Sequence, residues 1–297
     1  SEGITETKTV FLISLAIFLL NIPFNYLFIF YFDLGGVGCG YATTVLVVIG
    51  LICFWLITLF SDRYKETRLY GKFINPEISS SIELFKIGVP ISFGVFVELS
   101  MFSGAALIIS FFGATALAGH TIALNLVGLL FMLPLSLGLA SAIRVGNLIG
   151  EKNYTQANYA TNFSLKISLL VASLNMLIIL VFGSFLISIY TDNSEVAMMA
   201  LVLLYYAIIF QIPDAVGFSA VGSLRGHKDT FGPMVNLVIS YWVFALPLGV
   251  YFAFGDEKYV PNQAEGMWIG MIIGIVVSMI LNLRRLKTKK NKLKELF

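Results

Sequence analysis

Long apolar segments recur along the whole chain, and short polar stretches separate them. Each of the eight segments is long enough to cross a bilayer core, which takes about 20 residues of α-helix, and they lie at 9–32, 37–60, 87–112, 117–140, 157–183, 196–222, 231–254 and 265–283. The strands of a membrane barrel would instead alternate over about ten residues, which none of these segments does. The pattern predicts an all-α integral membrane protein with eight transmembrane helices.

The composition supports this interpretation. Of the 297 residues, 58% are apolar and 12% are charged, whereas about 25% of the residues in a soluble domain are charged. The mean hydropathy is +0.89. We therefore expect lipid, rather than water, to surround most of the chain.

The positions of the basic residues test the helix count independently. If eight helices alternate in direction, 18 of the 19 Lys and Arg residues fall on one side of the membrane, and Lys258 is the exception. Basic residues collect on the cytoplasmic side of membrane proteins, so both ends of this chain are predicted to be cytoplasmic. The basic tail is explained by the same rule and by attraction to membrane lipid.

Two similar segments indicate an internal repeat. Residues 21–25 (Asn-Ile-Pro-Phe-Asn) and 245–249 (Ala-Leu-Pro-Leu-Gly) each place a proline in mid-helix. Each is followed by a glycine-rich start of the next helix, at Gly38 and Gly266. If helices 1 and 2 correspond to helices 7 and 8, the repeating unit has six helices, as in many transporters.

This repeat predicts the domain organisation. Residues 1–60 are the last two helices of an N-terminal lobe, and 61–85 are a polar, cytoplasmic interlobe linker. Residues 86–287 form a complete C-terminal lobe of six helices, and 288–297 form the basic cytoplasmic tail. About four further helices are expected upstream.

Two acidic residues lie in the middle of predicted helices, whereas the other acids lie in loops, tails or helix ends. These two are Glu98 and Asp214. A charged side chain at the helix centre costs about 2.5–3.5 kcal/mol on insertion scales, so such residues usually mark an ion or substrate path. The sequence shows no basic residue at the same depth. Glu98 and Asp214 are therefore the main candidate site residues.

The depths of Glu98 and Asp214 allow them to form one site. Counted from the helix ends at 1.5 Å per residue, they differ by about 5 Å in height. Two adjacent carboxylates do not both stay ionised without a cation, so the pair should take up a proton or hold a metal ion. Oxygen ligands suit hard cations, and Na⁺ or H⁺ is the predicted ion.

Other polar or helix-breaking residues are weaker candidates. Pro213 removes a backbone donor beside Asp214 and frees a carbonyl one turn earlier, and Gln211 adds a polar group. Pro90 has the same potential in helix 3, although simple helix shaping explains both prolines equally well. The polar residues of helices 1 and 2 suit either a second cation site or interhelical hydrogen bonds; they are Asn21, Asn25 and Thr43.

Several protein classes are excluded by missing motifs. The sequence contains no G-x-x-x-x-G-K-[ST] phosphate loop, no H-E-x-x-H zinc motif and no channel selectivity sequence. We therefore predict neither an enzyme nor a cofactor other than a coupling ion, and no nucleic-acid partner. Energy for transport would come from an ion gradient.

A set of motifs resembles the multidrug and toxic compound extrusion (MATE) family, in its NorM-like bacterial branch. The motifs are Gly88-Val-Pro-Ile, Gly113-Ala-Thr-Ala-Leu-Ala-Gly-His-Thr-Ile-Ala-Leu-Asn125, Phe131-Met-Leu-Pro-Leu-Ser, Arg144-Val-Gly-Asn-Leu-Ile-Gly150, Gln211-Ile-Pro-Asp214 and Leu224-Arg-Gly-His-Lys-Asp-Thr230. The resemblance implies two six-helix lobes, with this chain equivalent to helices 5 to 12. It also implies a monomer in the bacterial inner membrane.

The resemblance further implies a function. Members of the family export amphipathic, often cationic, small molecules in exchange for Na⁺ or H⁺. Glu98 and Asp214 match the family's acids on helices 7 and 10, and the polar residues of helices 1 and 2 match positions of the N-lobe cation site. The acid on the family's first helix is absent from this chain. Phe210 stands where some relatives have Tyr, which implies a site poorer in oxygen ligands or selective for protons.

Two alternatives remain open on the sequence alone. A related flippase for a lipid-linked saccharide or another amphiphile would be expected to carry cationic residues at mid-membrane. In a membrane scaffold without transport activity, the two acids would be incidental.

Overall fold

The computed structural model describes residues 7–61, 64, 77–255 and 263–294, with side chains through residue 291. Within these ranges the chain is helical with no β-strand, and eight helices are long and apolar enough to cross a membrane. The predicted all-α fold with eight spans is confirmed. The helices are α1 (Thr7–Tyr31), α2 (Gly35–Phe60), α3 (Ile78–Ser110), α4 (Ala114–Gly150), α5 (Tyr154–Ser188), α6 (Ser194–Gly226), α7 (Phe231–Ala253) and α8 (Gln263–Lys294).

The chain divides into two compact units, Ser1–Glu77 and Ile78–Phe297. The first contains α1 and α2, which pack against each other, and the second contains α3 to α8. The second unit carries both mid-helix acids.

Several helices extend beyond the predicted apolar segments. α3 begins at Ile78, so the linker predicted at 61–85 is too long, and α8 continues to Lys294, inside the predicted tail at 288–297. Apolar composition marks the bilayer crossing, but caps and backbone hydrogen bonds decide where a helix ends. Asn153 illustrates this, because its side chain accepts the Gln156 N–H at 3.2 Å and begins α5 three residues before the predicted span.

Small residues let α6 approach α4 closely. A Cβ on Gly222 would overlap the carbonyl oxygen of Gly138, and one on Gly226 would lie 2.9 Å from the Ala142 carbonyl oxygen. Beside this contact the hydroxyls of Ser141 and Ser223 share a hydrogen bond of 2.8 Å. We call this contact the α4–α6 glycine seam. Close backbone packing of this kind is what holds helices together in lipid.

A second seam joins α7 and α8. Gly266, Gly270 and Gly274 are spaced four residues apart, so they lie on one face of α8. A Cβ on Gly270 would lie 2.7 Å from the Ala245 carbonyl oxygen of α7, and one on Gly274 would lie 2.8 Å from that of Ser240. The glycine-rich start of the last helix, noted in the sequence, is therefore a packing surface.

α3 meets α7 through side chains rather than backbone. A Cβ on Gly94 would come 3.1 Å from the terminal methyl of Leu237, and one on Gly104 would come 3.3 Å from that of Leu246. Here α7 is irregular, since Val238–Ala245 is π-helical between two α-helical pieces. Pro247 follows directly and lacks the N–H that the carbonyl of residue 243 would need, a common reason for such a distortion.

An ion cluster ties together the ends of α6, α7 and α8. Asp229 is buried, and its carboxylate accepts two hydrogen bonds from the Arg285 guanidinium, at 2.8 and 2.9 Å. The Lys289 ammonium lies 3.3 Å from the same carboxylate. Burial acts to raise the pKa of Asp229, but the hydrogen bond from Arg285 and the neighbouring cations outweigh it and hold the pKa below its usual value.

The first prediction concerns this cluster. Asp229→Asn should destabilise the protein by about 2–3 kcal/mol, because it leaves the partner cations without their buried counter-ion. Since the folded-state pKa of Asp229 is lowered, its contribution is present above about pH 4 and is lost as the pH falls through that lowered value. Thermal unfolding in detergent at pH 7 measures the loss. Glu83→Gln is the control, because the Lys228–Glu83 pair is exposed and should contribute little.

Candidate functional site

Glu98 and Asp214 line the same two cavities. Glu98 projects from α3 and Asp214 from α6, and both side chains are partly buried. The smaller cavity has a volume of about 20 Å³, which is room for one water molecule or one small ion. The larger, of about 170 Å³, is mostly apolar, and it is smaller than a typical drug-sized pocket of about 300–1,000 Å³.

The smaller cavity is built from one stripe of α6. Asp214, Gly217, Val221 and Arg225 follow one another at intervals of three or four residues, so they share a helix face. All four line the cavity. The carboxylate and the guanidinium of one helix are therefore presented to the same space.

Other helices complete its wall. α3 contributes Glu98, α7 contributes Leu237 and Tyr241, and α8 contributes Ile275 and Ser278. The Tyr241 and Ser278 hydroxyls add neutral oxygen atoms beside the carboxylates. The cavity thus combines two acids, one guanidinium and two hydroxyl groups.

The expectation that no basic residue accompanies the two acids is wrong. Arg225 lies outside the apolar segment at 196–222, near the end of α6, yet its side chain lines the cavity. Helical side chains point back toward the N-terminus of their helix, so this guanidinium lies 5.8 Å from the ring centroid of Phe218, two turns earlier. The three- and four-residue spacing from Asp214 to Arg225 was the available signal.

Of the three residues predicted to support the site, one lines the small cavity and two do not. Pro213 lines the small cavity beside Asp214. Gln211 does not line it, and its side-chain oxygen accepts a hydrogen bond of 3.2 Å from Asn175 of α5; a supporting role for Gln211 stays a prediction. Pro90 is buried within α3 and lines neither cavity.

The polar residues of the first unit are only partly brought together. The Asn25 amide donates to the side-chain oxygen of Asn21 at 2.8 Å, within α1. Thr43 is exposed on α2, and its hydroxyl donates to the carbonyl of Cys39 in its own helix. These local bonds account for the three side chains without a bound ion, and a cation site at Asn21, Asn25 and Thr43 stays a prediction.

His120 lies apart from the two acids. It is fully buried in α4, and its Nδ1 accepts a hydrogen bond of 3.0 Å from the Trp268 indole N–H. An accepting Nδ1 puts the proton of the neutral ring on Nε2. Protonation of Nδ1 would break this bond, so the arrangement favours a structural imidazole over a proton relay.

Comparison with known proteins shows the family to which this chain belongs. The MatE family model matches residues 90–251, which include both acids and Arg225. The chain belongs to the MatE family. The resemblance drawn from its motifs is therefore confirmed.

Relatives and solved structures agree with this assignment. The "Multidrug resistance protein NorM" of Vibrio vulnificus is 35% identical over 279 residues, covering 93% of this chain and 61% of the relative. The protein of the same name from Vibrio cholerae is 36% identical over 295 residues, covering 96% and 64%. The structure described as "Crystal structure of MATE in the bent conformation" has a TM-score of 0.84 at 18% identity, covering 97% of this chain and 63% of that one.

The chain matches only part of the length of these relatives. It spans 61–64% of the length of the two NorM relatives. The solved structure is 18% identical to this chain, and the similarity supports the fold alone.

Proposed function

We propose that this chain is part of a secondary active antiporter that exports amphipathic, often cationic, small molecules in exchange for Na⁺ or H⁺. Glu98 and Asp214 are its cation-binding carboxylates. One observation carries the proposal: the two mid-helix acids, from helices α3 and α6, line the same small cavities. Membership of the MatE family supports the transport part of the proposal.

The chemistry of the small cavity suits a coupling ion. Its volume of about 20 Å³ accommodates one small cation stripped of most of its water, and its polar atoms near the acids are carboxylate and hydroxyl oxygens. Hard cations prefer such ligands. The space is too small for a drug, so the exported molecule would bind in a larger adjoining space.

Coupling then follows from competition for negative charge. A cation from outside binds at Glu98 and Asp214 and lowers the affinity for a cationic substrate, and the substrate does the same to the cation. This reciprocity is a thermodynamic requirement of linked binding. Alternating access of the site to the two sides of the membrane converts the exchange into export.

The wider setting belongs to the same proposal. The whole protein would have two six-helix lobes, with residues 1–60 in the first, 86–287 as the second and 61–85 between them. It would work as a monomer in the bacterial inner membrane, among membrane lipids, with both ends of this chain in the cytoplasm. Asn21, Asn25 and Thr43 would belong to an N-lobe cation site.

A second candidate function is favoured by Arg225. A guanidinium inside a membrane cavity is the cationic feature expected of a flippase for a lipid-linked saccharide or another anionic amphiphile. The two carboxylates beside it leave the cavity with a net negative charge, which favours a cationic substrate instead. The antiporter is therefore the first proposal.

Transport by the full-length protein in liposomes is the test. Ethidium flux should rise several-fold above that of empty vesicles when a Na⁺ gradient or a proton gradient is imposed, and should collapse when that gradient is dissipated by an ionophore. A flippase would translocate a fluorescent anionic lipid without need of either gradient. A scaffold would leave both probes at the rate of empty vesicles, and either of these two outcomes would overturn the proposal.

A further inference from the structure

The small cavity contains a positively charged side chain, Arg225, although a site that binds cations does not need one. Its guanidinium lines the small cavity with Glu98 and Asp214. The guanidinium carbon lies 5.8 Å from the centroid of the Phe218 ring. Within the described part of the chain, no hydrogen bond or ion pair holds this guanidinium.

The charges that line the cavity determine what it can hold. Glu98 from α3 and Asp214 from α6 supply two negative charges when ionised, and Arg225 supplies one positive charge. Tyr241 from α7 is the remaining titratable group, and α8 contributes Ile275 and Ser278, which are uncharged. Among the described residues that line the cavity, Arg225 is the only cation, and the net charge is −1 when both acids are ionised.

The volume agrees with this charge count. A space of about 20 Å³ admits one small ion, and two would not fit. One monovalent cation also brings the net charge to zero. Volume and charge therefore point to the same occupancy.

We propose that Arg225 is the internal counter-cation of this site, which neutralises one of the two carboxylate charges when the coupling ion has left and limits the site to one monovalent cation. The proposal rests on the proposed function, because it assumes that Glu98 and Asp214 bind the coupling ion. An emptied site without Arg225 would hold two unpaired carboxylates in a partly buried place, which is strongly unfavourable. Arg225 neutralises one of these two charges and so reduces the cost of releasing the ion.

The position of Arg225 suits such a role. It is the penultimate residue of α6, about 16 Å along the helix from Asp214, and its side chain points back into the cavity that Glu98 of α3 also lines. The aromatic face of Phe218 lies between the two positions and attracts a guanidinium. Rotation of the Arg225 side chain from the Phe218 ring toward Glu98 would exchange its partners, whereas Asp214 lies beyond its direct reach.

The experiment replaces Arg225 in the full-length protein and measures ion binding without transport. Arg225→Gln removes the charge, Arg225→Met removes it while keeping the aliphatic stem, and Arg225→Lys keeps it. Equilibrium binding of ²²Na⁺ at pH 8 gives the Na⁺ affinity. Proton uptake in Na⁺-free buffer, taken as the difference from a Glu98→Gln/Asp214→Asn double variant, gives the proton midpoint of the site.

We expect one bound cation per wild-type protein at this site. In the Gln and Met variants the ion that the site takes should bind at least about tenfold more tightly, seen as a lower Na⁺ dissociation constant or a proton midpoint about one unit higher, because an adjacent cation no longer opposes it. Their gradient-driven efflux should fall, since the ion is no longer displaced. Arg225→Lys should bind the ion as the wild type does.

Each other outcome has a definite meaning. Unchanged or weaker ion binding in a monodisperse Gln or Met variant would overturn the counter-cation, while leaving the proposed antiporter intact. A wild-type protein that binds no more ion than the Glu98→Gln/Asp214→Asn variant would overturn the site itself, and the proposed function with it. A merely structural Arg225 would lower stability without tightening ion binding.

Discussion

Full-length protein carrying Glu98→Gln or Asp214→Asn should lose gradient-driven dye efflux and fall to the rate of empty vesicles. Each change removes one of the two negative charges that line the shared cavities, replaces one carboxylate oxygen by an NH₂ group and leaves the side-chain volume almost unchanged. With Arg225 still present, the remaining carboxylate is already neutralised, so no attraction is left for a coupling cation. Ethidium efflux from liposomes under an imposed Na⁺ or proton gradient measures the loss.

Glu83→Gln provides the matched control for this experiment. Glu83 lies on the same helix as Glu98, and its exposed side chain pairs with Lys228; neither residue lines the cavity. The same chemical change at this position should leave efflux at the wild-type rate. Efflux that persists in both Glu98→Gln and Asp214→Asn, at normal expression, would refute the role given to the two acids.

Gly222→Ala should prevent normal assembly of the second unit. The added Cβ would overlap the Gly138 carbonyl oxygen, which is backbone and has no side-chain rotamer to change. Relief requires α4 and α6 to separate along the glycine seam, which also strains the Ser141–Ser223 hydrogen bond. Overpacking typically costs about 1–3 kcal/mol, and a clash between two backbones should lie at the upper end. We expect a sharply reduced yield of monodisperse protein and a lower melting temperature.

Gly88→Ala is the control for this substitution. No atom outside its own helix turn lies within 4 Å of a Cβ built on Gly88. Alanine is also the better helix former by about 1 kcal/mol. Gly88→Ala should therefore be neutral or slightly stabilising, and equal behaviour of the two variants would show that the seam does not limit stability.

The sequence predicted the helices and the two acids because each has a strong local signal. An apolar segment of bilayer length is unambiguous, and a carboxylate in the middle of one is costly enough to be informative. A comparison of depths along the helices allowed Glu98 and Asp214 to share one site. These features depend on position along the helix axis, which residue counting supplies.

Features that depend on direction around the axis were harder to predict. Arg225 lies outside the apolar segment at 196–222, near the end of α6, although its side chain lines the cavity. Gln211 was expected near Asp214 but bonds to Asn175, because a neighbouring helix offered it an amide. α3 begins at Ile78, before its apolar segment, because polar residues can continue the backbone hydrogen bonds of a helix. Partners on other helices decide such details, and a single sequence does not identify them.

The helices that carry the two acids are packed in different ways, and this difference should affect how easily each helix moves. Asp214 is carried by α6, which meets α4 backbone to backbone at Gly222 and Gly226. Glu98 is carried by α3, which meets α7 through the pliable methyl groups of Leu237 and Leu246 and beside a π-helical stretch. We therefore expect Asp214 to keep its position and α3, which carries Glu98, to move when the cavity closes around an ion.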